Sequence, residues 1–222
     1  MKNIYLITPS LKKGGAEKVV VTLANFLSKR YNIKIVSFTN ENRFKVDPLI
    51  KIINIRQKIS KYFLKKATNI IQRLIFLYGV LKNANSDDRI ISFMESANFP
   101  TILVGVILKK NVYISVHNDV RTFSFFVRKS IKLFYRFPNK IIAVSNGVKS
   151  GLVSIGVSPH KIEVIGNPFF LDETKNDLNK IPKEYQPYIL NVGSLSKKKG
   201  QLRLIRAFSK LNIPELNLVI LG

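Results

Sequence analysis

Glycines and polar side chains follow several apolar runs of this sequence, at points where a buried strand would end. Gly14 and Gly15 come after the run Asn3–Thr8. Paired glycines leave backbone amides open to a ligand, and the start of the following helix adds partial positive charge, so a phosphate or a sugar hydroxyl could approach closely. The alternative is a tight turn that requires glycine. The pair is neither a P-loop nor the three-glycine dinucleotide fingerprint.

A polar trio follows the apolar run at residues 111–116. His117 comes first, and Asn118 and Asp119 come next. A histidine at the end of a strand could donate a hydrogen bond to a sugar hydroxyl or handle a proton near neutral pH. The alternative is a satisfied loop histidine, with Asp119 as a helix cap. The position of His117 at the carboxyl end of a predicted strand favours a functional role over this alternative. The other histidine, His160, is expected to lie in a surface turn.

A third candidate lies between an apolar run and a helical pattern near the end of the sequence. Gly193 and Ser194 begin this loop, and three consecutive lysines ending at Lys199 precede Gly200. Lysines over the start of a helix suit a diphosphate anion. The alternative is a solvated basic loop.

The loops after two other predicted strands add further cleft candidates. Glu95 and Asn98 follow the run at residues 89–94, and Ser145 follows the run at residues 140–144. Parallel sheets bind ligands beyond the carboxyl ends of their strands, so these residues are expected near the same edge. Ser145 could also cap the next helix.

Strand-like and helix-like runs alternate along the chain, which favours an α/β domain with a mostly parallel sheet. Strands are predicted at residues 3–8, 33–39, 50–56, 89–94, 111–116, 140–144 and 162–165, and helices at residues 16–30, 60–83, 97–108, 121–136 and after Ser145. Residues 1–165 therefore form one domain. Glycine and proline indicate a linker at residues 166–187.

The alternation restarts at residue 188 with a strand, a helix at residues 200–211 and another strand at residues 216–221. A strand–helix–strand segment cannot cover both faces of its own sheet. Residues 188–222 are therefore interpreted as the incomplete start of a second α/β domain.

Composition excludes several classes of protein. The 222 residues contain 37 Lys and Arg against 13 Asp and Glu, so the net charge is 37 − 13 = +24, and 46% are hydrophobic, which excludes a disordered polycation. The absence of cysteine excludes disulfide scaffolds and cysteine chemistry, and no residues have zinc-ligand spacing. No signal peptide or transmembrane span is predicted, so we expect a cytosolic protein or one on the cytosolic face of a membrane.

Two stretches, residues 58–82 and 121–140, mix bulky apolar with basic residues. Their basic members include Lys58, Lys61, Lys65, Lys66, Arg73 and Lys82 in the first stretch, and Arg128, Lys129, Lys132 and Arg136 in the second. Such helices can lie on anionic lipid, although each aromatic residue could instead belong to the core. Nucleic acid competes as a partner for this charge. It is disfavoured because the charge is spread through an alternating α/β pattern with no recognised nucleic-acid module.

Four motifs, in order, resemble retaining glycosyltransferases of the GT-B group, of the family-4 kind. They are Gly14-Gly15-Ala16-Glu17 with Leu23-Ala24, Ile141-Ile142-Ala143-Val144-Ser145 with Lys149, Val164-Ile165-Gly166-Asn167-Pro168, and Val192-Gly193-Ser194-Leu195 with Lys199-Gly200 and Leu204-Ile205-x-Ala207-Phe208. The resemblance covers essentially all of the chain. It implies a GT-B-like α/β fold with one complete Rossmann-like, acceptor-side domain and the start of a second, nucleotide-sugar-binding one.

The resemblance also implies a reaction, transfer of a sugar from a nucleotide-sugar to an acceptor hydroxyl with retention. The nucleotide-sugar is a substrate, and no cofactor or metal is implied. Gly14 and Gly15 would lie near the donor diphosphate, and His117 would face the transferred sugar or the acceptor. Gly193, Ser194 and Lys199 would bind the donor. The family commonly has arginine where this chain has Ser194, and Lys197 or Lys198 could replace that charge.

The basic amphipathic stretches fit an acceptor held in a membrane, such as a polyprenyl-diphosphate-linked sugar or a lipopolysaccharide core. We therefore expect a role in bacterial surface-polysaccharide synthesis, on the inner face of the cytoplasmic membrane. The family's later Glu-x7-Glu region, which holds the nucleotide ribose and the donor sugar, is not reached before Gly222. The alternative is a truncated, inactive module that binds acceptor or membrane, or one subunit of a split glycosyltransferase.

Overall fold

The computed structural model describes residues 2–12, 14–55, 63–168 and 187–222, without the side chains of residues 63–68 and of Lys198. The chain divides into two compact units, Met1–Phe170 and Leu171–Gly222. Some sequence predictions fall outside the described residues: Lys13, most of the linker at residues 166–187, and the side chains of Lys58, Lys61, Lys65 and Lys66.

Seven parallel strands form the sheet of the first unit, in the order β3-β2-β1-β4-β5-β6-β7. They are β1 (Asn3–Thr8), β2 (Asn32–Ser37), β3 (Lys51–Asn54), β4 (Arg89–Phe93), β5 (Val112–Val116), β6 (Lys140–Ala143) and β7 (Ile162–Val164). On β1, Ile7 pairs with Val36 of β2 and with Ser92 of β4. This order is Rossmann-like, and it confirms the predicted α/β class.

Five helices cover the two faces of this sheet: α1 (Gly15–Leu27), α2 (Phe63–Leu81), α3 (Glu95–Ile107), α4 (Phe125–Phe134) and α5 (Asn146–Ser154). The chain moves in one direction across the sheet from β1 to β2 and in the opposite direction from β4 to β7. Because parallel crossovers are right-handed, α1 lies on one face and α3, α4 and α5 lie on the other. Each face has its own apolar core, one around Val20 and Ala24 and one around Leu77, Ile131 and Leu152.

The helices differ from their predicted bounds by a few residues, and the differences at the starts of α3 and α4 affect the candidate residues. Helix α3 begins at Glu95, two residues before the predicted start, so the placement of Glu95 in a loop was wrong, whereas Asn98 lies in the predicted helix. The turn into this helix is made by Met94, whose φ of 67° lies in the left-handed region that residues other than glycine rarely adopt. The predicted helix at residues 121–136 is interrupted, because the carboxylate of Asp119 accepts a hydrogen bond from the backbone of Arg121 and closes a short 3₁₀ turn before α4.

The described part of the second unit contains β8 (Tyr188–Val192), α6 (Gln201–Phe208) and β9 (Asn217–Leu221), with β8 and β9 parallel. Val192 and Leu221 remain exposed because one helix cannot cover both faces of a sheet. Across the parts of the chain that the structure describes, no helix is long and apolar enough to cross a membrane.

Candidate active site

The candidate residues of the first unit meet at one edge of the sheet. Strands β1, β4, β5 and β6 are neighbours and parallel, so their carboxyl ends face the same way. The loop to α1, the turn at Met94, the segment after β5 and the turn to α5 therefore lie side by side. This is the edge at which a parallel sheet binds its ligands.

His117 lies directly after β5 and is half-buried. Its Nε2 is 3.0 Å from the hydroxyl oxygen of Ser115, and its ring lies 6.0 Å from that of Phe93, centre to centre. Burial lowers the pKa of His117 below its usual range, because a charged imidazole loses hydration there. At pH 7 the ring is therefore neutral, with one nitrogen able to donate and the other able to accept.

Glu95 and Asn118 form a second polar pair at this edge. The side-chain amide of Asn118 donates to Oε2 of Glu95 at 3.2 Å. The other carboxyl oxygen, Oε1, is buried and makes no hydrogen bond with the described residues. Burial raises the pKa of Glu95 from its usual range. The Glu95 residue as a whole is only partly buried, so its carboxyl group borders the edge at which the sheet binds ligands.

Asn98 is wholly buried, one turn after Glu95 in α3. Its amide donates to the backbone carbonyl of Ser115 at 3.2 Å and approaches the hydroxyl of Tyr135 at 3.4 Å. The carbonyl of Ser115 also accepts from the backbone N–H of Met94 at 3.2 Å. Asn98 therefore joins α3 to the end of β5 and holds the backbone that carries His117, a role its sequence position does not reveal.

The two glycines before α1 have different surroundings. A side chain at Gly14 would meet the carboxylate of Glu17, which folds back to accept a hydrogen bond from the hydroxyl of Ser10 at 3.1 Å. Around Gly15 nothing lies within 4 Å of the position a Cβ would take. The contacts of the first unit thus explain glycine at position 14, whereas the open space at position 15 suits the close approach of a ligand.

Ser145 is the N-cap of α5, and its hydroxyl oxygen accepts a hydrogen bond from the backbone of Val148 at 3.3 Å. This confirms the capping interpretation. The hydroxyl is exposed at the same edge, so a role in the cleft stays a prediction.

The candidate donor residues lie in the loop between β8 and α6 of the second unit. Gln201, which sequence reasoning missed, donates from its side chain to the carbonyls of Gly193 at 3.2 Å and Ser194 at 3.0 Å. Lys199 is exposed, and its side-chain carbons lie over Gly193, 3.8 Å from the position a Cβ would take. Gly200 has a φ of 73°, which glycine adopts without strain. The loop is therefore held by Gln201 while Lys199 remains available to an anion.

A cavity of about 430 Å³ adjoins this loop, and Lys197, Arg203 and Arg206 line it. The two arginines face the cavity from α6, and no sequence motif singled them out. Within the described ranges, no group of three or more His, Cys, Asp or Glu side chains could hold a metal ion.

The first unit of the chain is similar in sequence to a known protein family. The family model for Glycosyltransferase Family 4 matches residues 13–173, which is well over half of the chain. The chain belongs to Glycosyltransferase Family 4.

Two curated relatives come from Campylobacter jejuni. One, 26% identical over 96% of this chain and 58% of its own length, is named GalNAc-alpha-(1->4)-GalNAc-alpha-(1->3)-diNAcBac-PP-undecaprenol alpha-1,4-N-acetyl-D-galactosaminyltransferase. The other, 25% identical over 100% of this chain and 63% of its own, is named N-acetylgalactosamine-N,N'-diacetylbacillosaminyl-diphospho-undecaprenol 4-alpha-N-acetylgalactosaminyltransferase. The chain thus spans 58% and 63% of the length of these relatives.

Solved glycosyltransferase structures share the fold. Anabaena HepE, crystallised with UDP and glucose, matches with a TM-score of 0.74 at 17% identity, over 98% of this chain and 60% of its own. A glycosyltransferase from Rickettsia africae matches with a TM-score of 0.70 at 20% identity, over 100% of this chain and 60% of its own. At these identities the likeness concerns the fold alone, and it confirms the predicted GT-B-like class.

Asn98 and Asn118 provide a matched test of the buried amide. Asn98→Ala leaves the Ser115 carbonyl and the Tyr135 hydroxyl short of a donor, so we expect the free energy of unfolding of the first unit to fall by about 2 kcal/mol or more. Asn118→Ala, on an exposed residue, is expected to change it by less than about 0.5 kcal/mol. Urea unfolding followed by circular dichroism measures both. Equal effects would contradict the structural role of Asn98.

The neutral state of His117 predicts a pH dependence. Its folded-state pKa is lowered, so the stability gained from burying the neutral ring is fully present above the ordinary pKa of 6.5. That stability is lost as the pH falls through the lowered folded-state pKa. In an NMR titration, the ring resonance that is missing in His117→Gln should have a midpoint below 6.5. A midpoint at or above this value would contradict the buried, neutral ring.

Proposed function

We propose that the protein transfers a sugar from a UDP-sugar to a hydroxyl of a lipid-linked sugar acceptor, with retention at the anomeric carbon. The observation that carries the proposal is the half-buried, neutral His117 beside the Glu95–Asn118 pair, at the ligand-binding edge of a Family 4 chain. The names of both Campylobacter relatives support an acceptor linked to undecaprenol through a diphosphate. The UDP complex of Anabaena HepE supports a uridine nucleotide.

The reaction breaks the bond between the anomeric carbon and the diphosphate oxygen and forms a bond from that carbon to the acceptor oxygen. The acceptor proton leaves with the departing diphosphate. In this proposal His117 and Glu95 orient hydroxyls of the transferred sugar or the acceptor through hydrogen bonds. Gly15 leaves room for the donor at the start of α1, and the exposed Lys199 balances negative charge on the leaving nucleotide.

We also propose that the protein works at the inner face of the cytoplasmic membrane in bacterial surface-polysaccharide synthesis. The lipid-linked acceptors in the names of the relatives support this location. The second candidate function is a module that binds the acceptor or the membrane without transfer, alone or as part of a split enzyme. This hypothesis predicts binding of lipid without turnover.

The two histidines of the chain provide the test of the transfer reaction. In the complete natural protein, His117→Gln is expected to lower kcat by roughly a hundredfold, the usual size of a lost proton-handling or orienting group. His160→Gln changes an exposed residue of a surface turn and is expected to leave the rate unchanged. Transfer of radiolabelled sugar from UDP-sugars to polyprenyl-diphosphate-linked acceptors measures both. Full activity in His117→Gln would contradict the site, and no transfer by the unaltered protein would favour the binding module.

Lys199 provides a separate test of donor binding. Lys199→Ala is expected to weaken UDP binding about tenfold, since a charge-assisted contact to a phosphate contributes on the order of 1.5 kcal/mol. Acceptor binding should be unaffected. Lys210→Ala is the matched control because Lys210 is exposed in the same unit outside the loop. Isothermal titration calorimetry measures the affinities, and equal values for the two variants would contradict the phosphate role of Lys199.

A further inference from the structure

The segment that contains α4 carries a large excess of positive charge, although Arg121 and Lys140 at its two ends pair with Asp119 and Glu163. Between Asp119 and Glu163 the chain has eight lysines and arginines and no aspartate or glutamate. Among the described residues, the cations carried by α4 form no ion pair. A surface with this charge attracts an anionic partner.

Two aromatic side chains at the start of the same helix are exposed to solvent. Phe126 is 80% exposed and Phe125 is 56% exposed. Their rings meet edge to face at 5.9 Å, and Nζ of Lys129 lies 4.6 Å from the centre of the Phe125 ring. Leu133, seven residues after Phe126 and therefore on the same side of the helix, is 49% exposed. Large apolar groups and lysines on one exposed face are typical of helices that lie in a membrane interface.

The other end of α4 borders a cavity of about 610 Å³ lined by Lys129, Lys132, Arg136 and Lys161 among others. Lys132 reaches across Gly156, where a Cβ would lie 2.9 Å from its Cε. The ammonium of Lys161 donates to the carbonyls of Arg136 and Pro138. The remaining three cations face the cavity without a carboxylate partner among the described residues, which suits a phosphate group.

We propose that the outer face of α4, formed by Phe125, Phe126, Lys129, Lys132, Leu133 and Arg136, is the surface by which the first unit docks on an anionic bilayer. The aromatic pair enters the interface, and the cationic cavity receives the phosphate of a lipid headgroup. The positive charge argues against a second copy of the chain, because two such faces would repel one another.

This docking face lies next to the edge of the sheet that holds the candidate site. Helix α4 begins after the short turn that follows His117, at the carboxyl edge of the sheet, and runs toward the opposite edge. A bilayer against α4 would therefore lie beside the edge that holds His117 and Glu95. The docking face itself does not depend on the proposed function. Only its role, which is to bring a lipid-linked acceptor to this edge, rests on that function.

The absence of tryptophan from the chain allows a direct test. Phe126→Trp places one reporter on the proposed face, and Phe26→Trp places a matched reporter on α1, on the opposite face of the sheet, at 56% exposure. Vesicles of phosphatidylcholine alone and with phosphatidylglycerol are added to each variant. We expect the indole emission of Phe126→Trp to shift to the blue with the anionic vesicles only, reversed by salt, and that of Phe26→Trp to stay unchanged. Equal emission shifts in the two variants would overturn the docking face. So would the lack of a shift in Phe126→Trp when that variant still binds the anionic vesicles.

The charge contribution is tested by vesicle sedimentation. The double variant Lys129→Ala, Lys132→Ala is expected to bind anionic vesicles about twenty-fivefold more weakly, at roughly fivefold for each lysine. The matched control is Lys18→Ala, Lys29→Ala, which removes two exposed lysines from the α1 side and should retain most of the binding. Equal losses in the two double variants would overturn the inference, as would tighter binding to DNA than to anionic vesicles.

Vesicle binding and sugar transfer are measured separately. Loss of transfer with docking intact would therefore contradict only the proposed function, and transfer without docking would contradict only this inference.

Discussion

The parallel pairing of β1, β4, β5 and β6 is the constraint on which the rest of the first unit depends. Parallel neighbours end at the same edge, so segments far apart in sequence become adjacent there. Gly15, Glu95 and His117 share this edge only because β4 lies beside β1 and β5 lies beside β4. The same pairing places α1 and α4 on opposite faces, which separates the open glycine loop from the basic, aromatic helix.

Buried polar contacts give the edge its precise geometry. The carbonyl of Ser115 accepts from both Asn98 and Met94, and the hydroxyl of Ser115 contacts His117. Burial then shifts the pKa of His117 downward and that of Glu95 upward, so each group is moved toward its neutral form. Orienting sugar hydroxyls requires donors and acceptors held in place, and neutral groups in a partly dehydrated site can serve in this way.

The charge of the chain and the architecture of its family fit one another. Under the proposed function the protein approaches an anionic membrane surface, and a net charge of +24 would favour that approach. Helix α4 concentrates this charge beside exposed aromatic rings, next to the edge that holds His117. The candidate site and the proposed docking face are therefore joined by the short segment that follows β5.

The sequence by itself determined the strands and the α/β class, because a buried parallel strand is a continuous apolar run wherever it pairs. It placed β1 at its observed bounds, His117 at the end of a strand and Ser145 as a cap, all of which are local features. Only the tertiary structure decided that Glu95 begins a helix, since the turn at Met94 depends on a hydrogen bond to the distant Ser115. It alone buried Asn98 and exposed Phe126. Whether a polar or aromatic side chain is buried depends on which elements pack against it, and the spacing of apolar residues along the sequence does not predict that packing.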